Sequence, residues 1–218
     1  VVAARTGTSE ENISLFIIPT QSDGINQTLL KTIASDRQSE VVFNDVKVPS
    51  SALLGEENKG WETIQKVMQW GAIGKCAEMS GGGQQVLDMT VDYAKQRTQF
   101  GRPIGSFQAI QHHCANMATD VEGSKFITYQ AAWRLSEGLP AEREVAMAKA
   151  WVSDAYRRVC ALGHQSHGAI GFTKEHNMQL YSRRAKASEI MFGDTDFHLE
   201  NVANKMQTLE TKWHRNKF

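Results

Sequence analysis

A first group of residues that could do chemistry surrounds a glycine–proline–glycine interruption between two helical patterns. In the segment RTQFGRPIGSFQAIQ, Arg97 offers a planar guanidinium that can hold two phosphate oxygens. The amides of Gln99 and Gln108 can bond to a phosphate or to a base edge. Ser106 is a candidate N-cap for the next helix, whose free N–H groups would favour an anion. The segment is therefore either a plain turn beside a solvated arginine or a cradle for a flat, anionic ligand.

A second cluster, HQSHGAIGF, follows the third helical pattern of the chain. Gly168 and Gly171 would let the backbone approach a ligand that Gln165 could reach. A helix that ends in glycine beside two solvated histidines explains the same residues. His164 and His167 have no evident third and fourth partner for a metal ion, so the sequence predicts no metal site here.

A third cluster is FGDTDFH, in which Asp194 and Asp196 interrupt an otherwise apolar and basic helical pattern. One interpretation is an N-cap, with Asp194 or Thr195 restarting a helix after Gly193. The other is a general base, because a carboxylate in a water-poor cleft can accept a proton. The sequence alone leaves both interpretations open.

The elements that must position these clusters begin with a β part. Alternating apolar and polar residues, separated by turn residues, predict antiparallel strands at 13–19, 27–32 and 40–49. Three strands would leave exposed edges and half a core, which suggests that partner strands lie elsewhere. We predict that residues 1–55 are the C-terminal part of a β-barrel-like middle domain and that residues 56–218 form a C-terminal four-helix bundle domain.

The helical part is predicted from apolar residues that recur at helical spacing. The expected helices cover 60–96, 107–137, 141–164, and about 174 to the C-terminus with a break at Gly193. Short loops between long helices favour an antiparallel four-helix bundle, so the fold class is mostly α, and α+β overall. The run Gly81–Gly83 inside the first helix costs roughly 1 kcal/mol per glycine relative to alanine. It indicates either close packing between helices or room for a ligand beside the backbone.

Composition and charge exclude several classes of function. The 218 residues carry 24 Lys plus Arg and 24 Asp plus Glu, so no bulk attraction to nucleic acid or an acidic membrane is expected. No apolar run reaches the ~18 residues of a membrane helix, and the N-terminus lacks a secretory profile, which predicts an intracellular protein. Cys76, Cys114 and Cys160 have no metal or redox spacing and are expected to be free thiols. A strand pattern close to the start, without an initiator Met, suggests a fragment of a longer chain.

Taken together, these segments resemble the flavin-dependent acyl-CoA dehydrogenase family over almost the whole chain. The run VVFNDVKVPSSALLGEENKGW is similar to the exit from the family's middle β-domain, and YAKQRTQFGRPIGSFQAIQ is similar to its R-x-x-F-G-x-x-I/L…Q-A-I/V signature. HQSHGAIGF resembles Q-x-x-G-G-x-G-F/Y with Ala169 in place of one glycine, and SRRAKASEI resembles the R-D-A-K segment that follows. The resemblance implies FAD as cofactor, an acyl-CoA substrate, an electron-transfer flavoprotein as electron acceptor, and a dimer of dimers.

The resemblance also implies which residues hold the ADP part of FAD across a subunit interface. From one subunit they are Arg97, Gln99, Phe100, Phe107 and Gln108, from its neighbour Gln165, Gly168 and Ala169, and Thr195 is a further flavin contact. On this interpretation the chain breaks after Arg97 because helix termini and a guanidinium must meet a pyrophosphate.

The catalytic base of the family has no evident counterpart in this sequence. Its glutamate in a Y-E-G-T run corresponds to Phe192, or to Gly193 after a one-residue shift, and its alternative position on the first long helix corresponds to Gly71. Asp194 is the favoured candidate for a shorter base, and Asp196 is the other. The base could also come from an N-terminal part of the protein, or the subunit could be catalytically silent.

The expected function is α,β-dehydrogenation of an acyl-CoA thioester in fatty acid metabolism. A carboxylate would remove the α-proton while the β-hydrogen leaves as hydride to FAD. The expected location is the bacterial cytoplasm or the mitochondrial matrix. The alternatives are a silent partner subunit, a flavin monooxygenase or oxidase of the same fold, and a flavin-free helical interaction module.

Overall fold

The computed structural model describes residues 1–215 of the chain and the side chains of residues 1–206. The chain divides into two compact units, the first comprising residues 1–68 and the second beginning at Gln69. The predicted domain boundary after residue 55 stays a prediction.

The first unit contains two small antiparallel sheets. In one sheet, β1 (Val2–Arg5) pairs with β2 (Ile13–Phe16), and β2 pairs along its other edge with β5 (Leu53–Leu54). In the other sheet, β3 (Ile25–Leu30) pairs with β4 (Gln38–Phe43) as a hairpin. The sequence analysis missed β1, which is only four residues long.

Ser14 joins the three-stranded sheet to the loop that follows it. Its buried hydroxyl accepts the backbone N–H of Asn58 at 2.8 Å and lies 2.6 Å from the hydroxyl of Thr6. The hydrogen bonds satisfy a polar group that would otherwise be costly to bury. They also fix the loop from which the first helix begins.

The β3–β4 hairpin leaves most of its side chains in solvent. Its apolar residues Leu29, Val41 and Phe43 are all exposed. The predicted strand over 40–49 is wrong beyond Phe43, because Asp45 has a φ of 49°, which an extended strand does not allow.

Five helices follow, and their bounds are α1 (Gly60–Gln96), α2 (Gln108–Ser136), α3 (Glu142–His167), α4 (Met178–Ile190) and α5 (Thr195–Arg215). The predicted fold class, a mostly α bundle preceded by a partial antiparallel β part, is confirmed. The break predicted at Gly193 is confirmed, because Phe192 and Gly193 both adopt positive φ and separate α4 from α5. None of the helices in residues 1–215 is long and apolar enough to cross a membrane.

The core of the second unit is built around α3, which packs against α2, α4 and α5. Its fully buried residues come from four helices and include Met79, Val86, Met117, Val121, Val152, Val159 and Met178. The packing explains part of the glycine run in α1, since a Cβ on Gly82 would lie 2.5 Å from the hydroxyl oxygen of Tyr156. Gly81 instead faces open space.

The three cysteines are free thiols, as the sequence predicts. Cys76 and Cys160 are buried in the helical core, and burial raises the pKa of each thiol to about 12. At neutral pH both are therefore uncharged apolar side chains rather than nucleophiles.

Candidate functional site

The interruption between α1 and α2 is a β-hairpin. β6 (Thr98–Gln99) pairs with β7 (Arg102–Pro103), and the two residues between them, Phe100 and Gly101, have φ of 53° and 78°. Positive φ at both central residues is typical of a type I′ turn, whose twist matches that of the flanking strands. Gly101 adopts this conformation freely, whereas a phenylalanine there is uncommon.

Two backbone hydrogen bonds hold the base of this hairpin. The N–H of Arg97 donates to the carbonyl of Tyr93 at 2.8 Å, which ends α1. The N–H of Ile104 donates to the carbonyl of Arg97, also at 2.8 Å. Arg97 is thus fixed where helix and hairpin meet.

The predicted N-cap of α2 is wrong. Ser106 donates its hydroxyl to the carbonyl of Pro103 at 2.7 Å, and α2 begins after Phe107 without a side-chain cap. The reason is that residues 104–106 form a 3-10 turn, which moves the helix start beyond the reach of Ser106. The amide of Gln111 binds back to the carbonyl of Gly105 at 3.0 Å and holds this turn against the helix.

A groove of about 450 Å³ lies between this hairpin and the C-terminal end of α3. Its lining includes Arg97, Gln99, Phe100 and Phe107 from the first predicted cluster and Gln165, Gly168 and Ala169 from the second. The sequence analysis had placed these two sets on different subunits. The structure brings them together in one chain, because the end of α3 lies beside the end of α1, where the rings of Tyr93 and His167 stack at 4.5 Å.

The positive charge of the groove lining comes from Arg97, and Arg102 lies beside one of the lining aromatic rings. Arg97 is exposed, and no carboxylate pairs with it among the side chains of residues 1–206. The guanidinium carbon of Arg102 lies 4.2 Å from the ring centre of Phe107, a cation–π contact. Phe100, which is 91% exposed, packs its edge on the same ring at 6.0 Å. The groove therefore combines a free positive charge with an exposed aromatic surface.

Two predicted cofactor contacts lie outside the lining of this groove. Gln108 is exposed in the first turn of α2. Thr195 begins α5, and its hydroxyl is buried without a hydrogen-bond partner among the described residues. Their roles stay predictions.

Sequence reasoning missed several lining residues, which are Tyr93, Ile104, Ile110, Ser166 and His167. Two of these residues could have been found from their helical spacing relative to predicted site residues. Tyr93 lies four residues before Arg97 and thus on the same helix face, and Ile110 lies three residues after Phe107. His167 had been considered only as a metal ligand or as a solvated histidine, and the second interpretation is wrong because the ring is buried.

His167 is a buried imidazole on the groove wall. Its Nδ1 lies 2.8 Å from the carbonyl oxygen of Gly163, and its ring is 4.9 Å from that of His176. Burial lowers the pKa of His167, the hydrogen bond with Gly163 opposes this shift, and the nearby His176 and His164 add to it. Among the described residues, no group of three potential ligands could hold a metal ion.

The third predicted cluster is the turn between α4 and α5. Asp194 is exposed, and its Oδ1 accepts the backbone N–H of Phe197 at 2.9 Å. Asp194 therefore caps α5, which is the first of the two interpretations of this cluster. The hydrogen bond occupies one carboxylate oxygen and leaves Oδ2 with no hydrogen bond among the described residues.

Lys149 holds this turn from inside the bundle. Its ammonium is fully buried and donates to the carbonyls of Glu189 at 2.8 Å and Gly193 at 2.9 Å, and to the hydroxyl of Ser153 at 3.0 Å. Burial lowers the pKa of Lys149, and the neighbouring Cys76 and the acidic Glu189 and Asp194 oppose that shift. The end of α4 and the start of α5 are thus joined through one side chain of α3.

Phe192, in the same turn, fills the space beside Gly71 of α1. Its carbonyl oxygen lies 2.9 Å from Nε2 of the buried His198. A Cβ on Gly71 would overlap the ring of Phe192. The two positions that the resemblance gives for a glutamate base thus hold an aromatic ring and a glycine in direct contact.

A comparison with known protein families agrees with this geometry. Residues 58–207 match the sequence model of the family described as acyl-CoA dehydrogenase, C-terminal domain. The chain belongs to the acyl-CoA dehydrogenase family. It spans about half the length of the curated relatives that it matches.

One curated relative in the acyl-CoA dehydrogenase family is subunit CarC of the caffeyl-CoA reductase-Etf complex from Acetobacterium woodii. It is 35% identical over 199 residues, which are 88% of this chain and 52% of the relative.

Two solved structures share the fold of this chain. Butyryl-CoA dehydrogenase from Megasphaera elsdenii superposes with a TM-score of 0.89 at 31% identity, over 94% of this chain and 55% of that chain. The FAD complex of PigA superposes with a TM-score of 0.89 at 28% identity, over 94% and 55% of the two chains. FAD is therefore indicated as the cofactor of the acyl-CoA dehydrogenase family.

Proposed function

We propose that this chain is the C-terminal, FAD-binding part of an enzyme that dehydrogenates an acyl-CoA thioester between its α and β carbons. The observation that supports the proposal most is the groove in which the hairpin after α1 meets the end of α3. We further propose that residues 1–55 belong to a middle β-domain and residues 56–218 to the helical domain. The family match over residues 58–207 supports this division.

The groove has the chemical groups that the ADP part of FAD requires. The free guanidinium of Arg97 would hold phosphate oxygens, and the amides of Gln99 and Gln165 would bind phosphate or adenine edges. The φ of Gly168 is 65°, and a Cβ there would meet no atom within 4 Å, so the backbone is open to a close ligand. Phe100 offers an exposed ring on which a base can stack.

Asp194 is our candidate for the residue that removes the α-proton. FAD, when bound, would accept the β-hydrogen as hydride. Asp194 would take the α-proton on Oδ2, because its Oδ1 already caps α5. A carboxylate on this turn is held by the buried contacts of Lys149, which would keep it in a constant position.

One observation favours a second candidate function, a flavoprotein subunit of the same fold that removes no α-proton. Phe192 and Gly71 occupy both positions at which a glutamate base is expected, and they pack against each other. A carboxylate at position 71 would have to displace the ring. This candidate would leave the FAD groove intact but would not react with saturated acyl-CoA.

The proposed partners follow from the same family membership. We propose an electron-transfer flavoprotein as electron acceptor, since the printed name of the CarC relative refers to an Etf complex. We also propose a homo-oligomer, a dimer of dimers.

The test begins with the protein in its complete natural form. We expect it to contain flavin, and a colourless protein that takes up no added FAD would refute the proposal. With flavin present, a panel of saturated acyl-CoA thioesters should bleach it in the absence of oxygen.

The variant Asp194→Asn should slow this bleaching by about a hundredfold or more, because a general base contributes roughly 10²–10⁴ in rate. The matched variant is Asp196→Asn at the other candidate carboxylate, which should react like the parent if Asp194 is the base. Loss of bleaching in Asp196→Asn alone would make Asp196 the base. Full reactivity of Asp194→Asn would exclude Asp194 as base. If no thioester bleaches a flavin-replete parent, the second candidate function is favoured.

A further inference from the structure

His167 lies on the part of the groove wall where the negative charge of a bound diphosphate would be incompletely balanced. It is the last residue of α3, whose C-terminal end borders the groove. A helix C-terminus carries the negative end of the helix dipole, which repels a diphosphate. Arg97 supplies one positive charge against two ionised phosphates, so a further positive charge in the groove would be favourable.

The geometry of His167 allows it to supply that charge. Its Nδ1 lies 2.8 Å from the carbonyl oxygen of Gly163, so the proton of the neutral ring resides on Nδ1 and Nε2 is free to accept another. The ring lies flat on Tyr93, with centroids 4.5 Å apart and planes 20° from parallel. Stacking and hydrogen bond together fix the orientation of the imidazole on the groove wall.

Before FAD binds, the surroundings keep His167 neutral. The titratable and charged groups that face it are Tyr93 and Arg97 from α1, His164 from its own helix, and His176 from the segment after α3. The cationic forms of His164 and His176 disfavour a charge on His167, and burial disfavours it further. These effects lower the pKa of His167 below its ordinary value of 6.5.

We propose that His167 is a diphosphate-binding residue that is neutral before FAD binds and takes up one proton from solvent when FAD binds. The proton adds to Nε2, and Nδ1–H continues to donate to Gly163. No other bond forms or breaks. The C-terminus of α3 and the bound diphosphate both stabilise the imidazolium. This inference rests on the proposed function, because it requires FAD in the groove.

The proton uptake makes FAD affinity depend on pH in one direction. The bound state holds one more proton than the free state, so affinity rises as pH falls between the bound-state and free-state pKa values of His167. Within that window the dissociation constant changes by at most about tenfold per pH unit. Outside the window it is constant.

The experiment uses the complete natural protein stripped of flavin. FAD binding is followed by quenching of flavin fluorescence from about pH 6 to about pH 8.5, the range in which a histidine changes charge. Calorimetry in phosphate and in Tris, whose ionisation heats differ, reports the protons taken up per FAD. We expect an uptake that approaches one proton near neutral pH in the parent, and tighter binding at the acidic end.

The variant His167→Gln keeps a donor for Gly163 but cannot become charged. We expect it to bind FAD with an affinity that hardly changes with pH. The control His112→Gln removes an exposed histidine that does not line the groove and should retain the parent's pH dependence.

Three results would overturn the inference. If the dissociation constant of FAD changed with pH equally in the parent and in His167→Gln, another group would take up the proton. Absence of proton uptake by the parent would refute the inference even if the variant failed to fold. Absence of FAD binding by the parent at every pH would instead refute the proposed function, and the inference with it.

Discussion

Arg97 is exposed, and no carboxylate pairs with it among the side chains of residues 1–206. Its backbone is fixed from both sides, by Tyr93 and by Ile104. Because the backbone of Arg97 is fixed and its guanidinium has no partner carboxylate among the described residues, an anionic ligand could bind it without a large entropic cost of ordering the chain.

Replacing Arg97 should therefore weaken flavin binding. We expect Arg97→Ala to raise the dissociation constant of FAD about tenfold to a hundredfold, because a charge-assisted hydrogen bond contributes roughly 1.5–3 kcal/mol. Equilibrium titration with FAD measures this. Lys95→Ala, which removes an exposed cation of the same helix end outside the groove, should bind FAD like the parent. An unchanged affinity of Arg97→Ala would remove Arg97 from the site.

The contact between Gly71 and Phe192 leads to a second prediction about single residues. A Cβ at position 71 would overlap the ring of Phe192, so Gly71→Ala should lower the free energy of unfolding by about 1–3 kcal/mol. The matched control is Gly74→Ala, one helical turn later, where a Cβ would meet no atom within 4 Å. This control should stabilise by roughly 0.5–1 kcal/mol, since alanine favours a helix interior over glycine.

Urea unfolding of both variants measures the difference. The double variant Gly71→Ala with Phe192→Leu should recover part of the loss, because a smaller side chain makes room for the Cβ. Equal stabilities of the two alanine variants would contradict the contact between Gly71 and Phe192.

At the scale of elements, the α4–α5 turn depends on a lysine from a third helix. Lys149 binds the carbonyls of Glu189 and Gly193 across two helix ends. Helix ends leave backbone carbonyls without partners inside the helix, and the ammonium of Lys149 supplies a donor for these two. The turn that carries Phe192 and Asp194 is thus a packed part of the core and not a loose connection.

The variant Lys149→Met keeps the length of the side chain and removes its hydrogen bonds. We expect the free energy of unfolding to fall by about 2–4 kcal/mol, because two half-buried carbonyls would lose their hydrogen bonds to the ammonium. Chemical denaturation measures the loss. Lys66→Met, at an exposed ion pair of α1, should change stability by less than about 0.5 kcal/mol. A stability of Lys149→Met within that same margin would show that the turn does not need the lysine.

The helices were easier to predict than the elements between them. The bounds of α1 agree with the predicted 60–96, because a long apolar stripe depends on local periodicity alone. The hairpin after Arg97 could not be predicted, since its Phe100–Gly101 turn lacks the asparagine or aspartate typical of a type I′ turn. The break between α4 and α5 was predicted at Gly193, but the positive φ of Phe192 and the support of the turn by the distant Lys149 leave no local signal in the sequence.

The candidate site was predictable in its parts but not in its assembly. The residues of both clusters that line the groove were identified from motifs. The two clusters lie together within one chain because the ends of α1 and α3 pack against each other, and such a long-range contact cannot be read from local sequence. His167 was misjudged because its partners, Tyr93 and His176, are distant from it in sequence or separated by a loop.

At the scale of the whole molecule, several histidines are buried in their neutral form. Burial is the largest cause that lowers the pKa of His164, His167 and His198 below 6.5. The unfolded chain therefore binds more protons than the folded chain once the pH falls below 6.5. The stability that these neutral rings provide is fully present above pH 6.5 and is lost as the solution becomes more acidic.

We expect the free energy of unfolding to fall between pH 7 and pH 5, by at most about 1.4 kcal/mol per pH unit for each histidine. Urea unfolding at several pH values measures the slope. His198→Gln should reduce the slope of the unfolding free energy against pH by an amount equivalent to at most one bound proton. The exposed His112→Gln should leave that slope unchanged. A stability that rises on acidification would contradict the burial of these rings in neutral form.

The β3–β4 hairpin has a practical consequence for anyone who produces this chain by itself. Within residues 1–215 its two strands form a sheet of their own, so each has an edge that pairs with no other described strand, beside the exposed Leu29, Val41 and Phe43. Such edges recruit further copies strand by strand. A recombinant product of these 218 residues should accordingly collect in inclusion bodies. Lysine substitutions at Leu29 and Val41 would be the first remedy to try, because charge on an edge strand blocks that recruitment.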